Sequence, residues 1–168
     1  MNDWKSLNWY AVSLQDLDEE RTVKILSDWG FQAVCLHREH FYKINGETTI
    51  IQKPLFPCIV IVATELDDDE FIRKIAVLQQ HNYQIVLCKK VEGIEKETLC
   101  RLTDENGLVK SSTCCISDDL LHISNGPLAG LESEIKYIDR HSRMAKLQIF
   151  FLGEVLRVKV PLVITSKN

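Results

Sequence analysis

The sequence predicts two modules in series, an α+β domain followed by a small all-β domain. Over about the first 100 residues, strand-like runs alternate with helix-like segments in the order β-α-β-β-β-α-β. That order suits an antiparallel or mixed sheet carrying helices. From residue 117 onward, helical periodicity stops, and short branched or aromatic runs separated by turn residues remain. Between the two, residues 103–107 and 110–113 are polar and lack periodicity. The division is therefore 1–103 for the first module, 104–116 for a linker and 117–168 for the second module.

Trp9-Tyr10-Ala11-Val12-Ser13-Leu14 opens the chain as an aromatic, branched strand. The acidic stretch 16–20 then supplies the negative charge that a helix N-terminus favours. Val23, Leu26 and Trp29 recur at helical spacing, and Gly30 stops the helix. Residues 33–44 are strand-like, and Asn45-Gly46 predicts a two-residue hairpin turn returning through 48–53. Pro54 and Pro57 bracket Leu55-Phe56 and block regular ladder pairing there. The apolar run 58–63 reads as a strand covered on both faces.

Asp67-Asp68-Asp69-Glu70 loads the first turn of a second helix, with Phe71, Ile75 and Leu78 on one side. Residues 84–88 form another strand and 94–102 a short helix. In the second module, residues 120–124, 135–138, 144–151 and 155–164 read as strands. Asn125-Gly126, the stretch 139–142 and Gly153-Glu154 mark turns. So many short strands in about 50 residues predict a small barrel, because closure removes exposed edges.

The chain is 45% hydrophobic and 26% charged, which is ordinary globular composition and excludes a disordered or collagen-like protein. No apolar run approaches the roughly 20 residues of a membrane span, and the first residues lack the basic and apolar regions of a signal peptide. A cytoplasmic, monomeric protein without a membrane partner is expected. None of the six cysteines forms a C-x-x-C pair, so reduced thiols are expected, with Cys35, Cys58 and Cys88 acting as small core hydrophobes.

Five scattered histidines and the acidic run 67–69 give no metal-ligand spacing. No nucleophile, base and orienter assemble. Neither an enzyme nor a cofactor is therefore expected. Net charge is −4, which argues against indiscriminate coating of nucleic acid. The charge is uneven: residues 117–168 carry seven Lys/Arg against six Asp/Glu, the rest thirteen against eighteen.

Two groups of residues are candidate sites. Trp9, Tyr10, Pro54, Leu55, Phe56, Pro57 and Ile59 form an apolar set, with Phe56 held between prolines in an exposed loop. The same residues also read as core, since alternation turns one of Trp9 and Tyr10 inward whatever the function. The second group is Lys136, Tyr137, Arg140, His141, Arg143 and Lys146. It sits at a hairpin turn with a net charge of +3 over residues 136–146. That charge suits phosphate contact, with Tyr137 or His141 stacking on a base. A solvated hairpin is the other reading, with Asp139 holding the turn.

Two segments resemble the NusG family of transcription elongation factors. Trp9-Tyr10-Ala11-Val12, followed by Lys53-Pro54-Leu55-Phe56-Pro57 and an apolar strand, is similar to the family's N-terminal (NGN) domain. Ile123-Ser124-Asn125-Gly126-Pro127-Leu128-Ala129-Gly130-Leu131-Glu132 resembles the opening of a KOW module. With Lys136-Tyr137-Ile138-Asp139-Arg140, it looks most like the specialised LoaP-type paralogs. The resemblance covers nearly the whole chain. Ile59 stands where an aromatic is usual, and Ser133 where a glycine is frequent.

The resemblance implies an α/β NGN domain that docks on the β′ clamp helices of RNA polymerase, with a possible contact to the β subunit. It also implies a KOW domain, an SH3-like barrel that contacts RNA, DNA or further factors. The function so implied is processive elongation and antitermination. The alternative is an RNA-binding or ribosome-associated KOW protein without polymerase activity.

Overall fold

The computed structural model describes residues 3–167. The fold is α+β, with three α-helices and three sheets among the described residues. Its centre is strand β1 (Asn8–Leu14). Successive side chains of a strand point to opposite faces, and both faces of β1 are covered. Tyr10, Val12 and Leu14 enter one hydrophobic core, and Trp9 and Ala11 enter another.

β1 pairs antiparallel with β5 (Val60–Thr64) and β6 (Ile85–Val91), and β5 pairs with β2 (Gln32–Val34), giving the order β2-β5-β1-β6. β5 repeats the division, with Val60 and Val62 on one side and Ile61 and Ala63 on the other. A continuous apolar run is the sequence form of a strand buried twice.

On the first face lie α1 (Glu19–Asp28) and α2 (Asp68–Gln80), which contribute Leu26, Phe71, Ile75 and Leu78. Both helices start where side chains satisfy orphan amides. Asp18 accepts from the Arg21 amide at 2.9 Å. Asp67 accepts from the Glu70 amide, and the Glu70 carboxylate accepts from the Asp67 amide, a reciprocal capping box. Gly30, at φ +78°, closes α1.

Residues 33–44 divide into two strands that serve different sheets. β2 ends at Val34; buried Leu36 turns the chain, and β3 (His37–Ile44) leaves the central sheet. β3 pairs with β4 (Glu47–Pro54) through the predicted Asn45-Gly46 turn, where both residues take positive φ. On its other side β3 takes β7 (Leu108–Val109) in parallel.

The opposite face of the central sheet is covered by α3 (Gly93–Leu102) and by the C-terminal strands. These are β8 (Ser112–Ser117), β9 (Leu120–Asn125), β10 (Ile135–Asp139), β11 (Met144–Phe151) and β12 (Glu154–Lys167). They form one sheet in the order β10-β11-β12-β8-β9. Long β12 pairs antiparallel with β11 through its first half and parallel with β8 through its second. Residues 104–116, read from sequence as a linker, thus hold β7 and the start of β8, each hydrogen-bonded into a sheet.

Turns tie the C-terminal strands together. Asp118-Asp119 and Leu152-Gly153 take positive φ in two-residue hairpin turns. Gly126, at φ +106°, lies so close to β8 that a Cβ there would meet the Cα and Oγ of Ser112 at 2.6 Å. The Ser112 hydroxyl accepts from the buried Leu128 amide at 3.0 Å, which fixes the Gly126-Pro127-Leu128 turn on β8.

Two cysteine assignments are corrected. Cys58 and Cys88 are exposed, because Cys58 precedes β5 in a turn at φ +61° and Cys88 lies on the edge strand of the central sheet. Cys35 is half-buried and Cys114 is the buried thiol. No helix among the described residues is long and apolar enough to cross a membrane.

Candidate functional site

The apolar candidates are not where an exposed loop would put them. Leu55 and Phe56 are each 6% exposed, and Trp9 and Tyr10 are buried as well. The prolines do break the ladder, but the released segment turns inward rather than out. Phe56 stacks on Phe151 of β11, with ring centroids 4.3 Å apart and planes at 18°. Pro57 is exposed, and Pro54 and Ile59 are half-buried. The exposure expected for Phe56 is therefore corrected: the C-terminal strands cover it.

Trp9 and Tyr10 take opposite faces. Trp9 stacks on Trp4 at 4.6 Å, and its indole N–H donates to the Trp4 carbonyl at 2.8 Å. Tyr10 stacks on Phe71 at 3.8 Å. Its hydroxyl donates to Asp68 at 2.5 Å, and Lys90 pairs with the same carboxylate at 2.8 Å. Burial, then the hydrogen bond to Asp68, pushes the Tyr10 phenol above its usual range. The Lys90 and Tyr10 hydrogen bonds hold Asp68 below the usual carboxylate range. The acidic run 67–69 is thus a helix cap and a strand-to-helix clamp.

Polar contacts frame the Phe56–Phe151 stack. The Gly153 amide donates to the buried Glu95 carboxylate at 3.0 Å. Lys89 Nζ donates to the Leu152 carbonyl at 2.8 Å, and Arg101 Nη2 to the Ala129 carbonyl at 3.1 Å. Sequence reasoning missed Phe151 and Glu95. Both belong to locally unremarkable stretches and gain meaning only from packing across the chain.

The second group is open to solvent. Lys136, Tyr137, Arg140, His141, Arg143 and Lys146 are all exposed. Lys146 Nζ lies 5.2 Å from the Tyr137 ring centroid, and the Arg143 guanidinium lies 5.3 Å from that of Phe41 on β3. Asp139 is structural: it accepts from the His141 and Ser142 amides at 3.0 and 3.2 Å. The Ser142 hydroxyl hydrogen bond first, then those amide bonds, keep its carboxyl below the usual range. Beside Arg140 and Arg143 a groove of about 260 Å3 runs along Leu162, Val163 and Ile164.

Among the described residues, no three His, Cys, Asp or Glu side chains converge as a metal cluster. No protein-family model matches the chain, and comparison with curated proteins finds no match.

Proposed function

We propose that the chain is a NusG-like transcription elongation factor, with an NGN-type first module that binds RNA polymerase and a KOW-type second module that contacts nucleic acid. The observation that supports this reading is the placement of the first family-like motif. Lys53-Pro54-Leu55-Phe56-Pro57 and the second module meet in one apolar contact at Phe56 and Phe151, so the segment that would bind polymerase is the one the second module covers. Polymerase binding through Leu55 and Phe56 therefore needs the modules to part. Binding energy would then favour the separated state in proportion to the difference in affinity between the two states.

The test is binding to purified core RNA polymerase, wild type beside Phe151→Ala, with circular dichroism as the folding control. The reading expects specific binding, tightened when Phe151 no longer covers Phe56.

A second reading is favoured by the contrast in exposure between the two sites. The six C-terminal candidates are exposed while the main apolar candidates are buried. On that reading the protein binds RNA, alone or on ribosomes, and the first module is scaffold. RNA binding by a folded protein that ignores polymerase in both forms would select it.

A further inference from the structure

We propose that the nucleic-acid surface extends beyond the C-terminal hairpin across the β3–β4 hairpin, so that Arg38, His40, Lys53 and Lys159 join Arg143 and Lys146 in one band that holds the phosphodiester backbone of a duplex. This rests on the reading that the C-terminal module contacts nucleic acid, and names residues and a ligand form which that reading leaves open.

The band is built from strand neighbours. Arg38 and Lys53 are register partners on β3 and β4. Arg38 and His40 share a face of β3, and Arg38 Nη1 lies 3.3 Å from His40 Nδ1. β3 adjoins β12, which carries Lys159, and Lys159 is the register partner of Lys146 on β11. Arg143 lies over Phe41, whose side chain alternates to the other face of β3, and so flanks the band. Arg38, Lys53 and Lys159 gather at His40 and Lys146 adjoins Lys159, although the chain carries −4 overall.

None of these six makes a salt bridge among the described residues, whereas Lys24, Lys90 and Lys110 do. Like charges gathered without ion-pair partners repel one another, and a polyanion is the ligand that relieves the repulsion. The repulsion registers at His40, whose pKa is lowered first by burial and then by Lys53, Arg38 and Lys159.

The form of the ligand follows from the rings. Readers of single strands present bare aromatic faces for bases to stack on. Here Tyr137 and Phe41, the rings nearest the cations, each already carry one. Arg38 with Lys53 on one sheet and Lys146 with Lys159 on the other are register-paired cations, so the two sheets offer two pairs of positive charges to one phosphodiester backbone.

The test is fluorescence anisotropy with a labelled RNA duplex, a DNA duplex of the same sequence and the corresponding single strand, over a series of salt concentrations. Wild type is compared with Lys53→Gln/Lys159→Gln and, separately, with Arg140→Gln. Lys53 and Lys159 lie outside the 136–146 hairpin and outside the hydrophobic cores, so the folded variant is a fair comparison. We expect a duplex to bind more tightly than the single strand. The double variant should lower the slope of log affinity against log salt by about 2, one per lysine. The two duplex arms show whether the backbone is RNA or DNA. An unchanged slope in the double variant, with binding lost in Arg140→Gln, would overturn the extended band while leaving the C-terminal contact intact. Single-strand binding as tight as duplex would overturn the duplex assignment. No binding to any probe would remove the reading on which the inference stands.

Discussion

Phe56 and Phe151, 95 residues apart in sequence, stack at 4.3 Å within one hydrophobic core that draws on both the N-terminal and the C-terminal strands. Both rings are buried, and next to Phe151 the Leu152 carbonyl and the Gly153 amide bond across to Lys89 and Glu95. The pair is therefore the natural place to measure how firmly the N-terminal and C-terminal strands are coupled.

Each of Phe56→Ala and Phe151→Ala should cost about 3–5 kcal/mol, as for other buried aromatics. The double variant should cost less than the summed singles, with a coupling of about 0.5–1.5 kcal/mol for the stacked pair. Urea unfolding of the four proteins measures this. Strict additivity would mean that the rings are buried independently.

Gly126→Ala should destabilise the C-terminal sheet. The new Cβ meets β8 backbone at 2.6 Å in a φ region that side chains avoid, and such strain costs of order 1–3 kcal/mol. The measurement is thermal unfolding of the variant beside wild type.

The clamp between Tyr10 and Asp68 predicts pH effects of opposite sign. Tyr10 has a raised pKa, so its contribution is full below the unfolded value of about 10 and fades as pH rises past it. Asp68 has a lowered pKa, so its contribution is full above about pH 4 and fades as pH falls. Tyr10→Phe should flatten the alkaline limb of a stability–pH profile, and Asp68→Asn the acid limb. Unfolding midpoints taken across pH in each variant check both signs.

His40 has a lowered pKa, so folding favours its neutral form. Stability from this group is present above about pH 6.5 and lost as pH falls below it. Lys159→Gln should raise the His40 pKa, because one of the cations facing it is removed. NMR titration of the imidazole in wild type and variant reads the shift directly, and an unmoved titration would show that β12 does not face His40.

Local signals predicted local structure well. Trp9 through Leu14 became β1, Asn45-Gly46 the hairpin turn, and Asp67 with Glu70 the start of α2, because each depends on backbone preferences within a few residues. The resting place of Phe56 was not legible. Two prolines show that a ladder stops, but the ring that receives Phe56 is Phe151, 95 residues further on in β11. The same holds for β7 and most of β8 in residues 104–116: Leu108-Val109 and Cys114-Cys115-Ile116 are short apolar runs among polar residues, and they become strands by pairing with β3 and β12. The exposed hairpin 136–146 could be read from charge alone. Its neighbours Arg38, Lys53 and Lys159 could not, since only the adjacency of β3 and β12 gathers them.

The most direct test of the central claim is binding to purified core RNA polymerase, with a β′ clamp-helix deletion as control. The account predicts that the protein binds intact polymerase, loses binding to the deletion, and binds more tightly as Phe151→Ala. Folded wild-type and Phe151→Ala proteins that both fail to bind intact polymerase would contradict it.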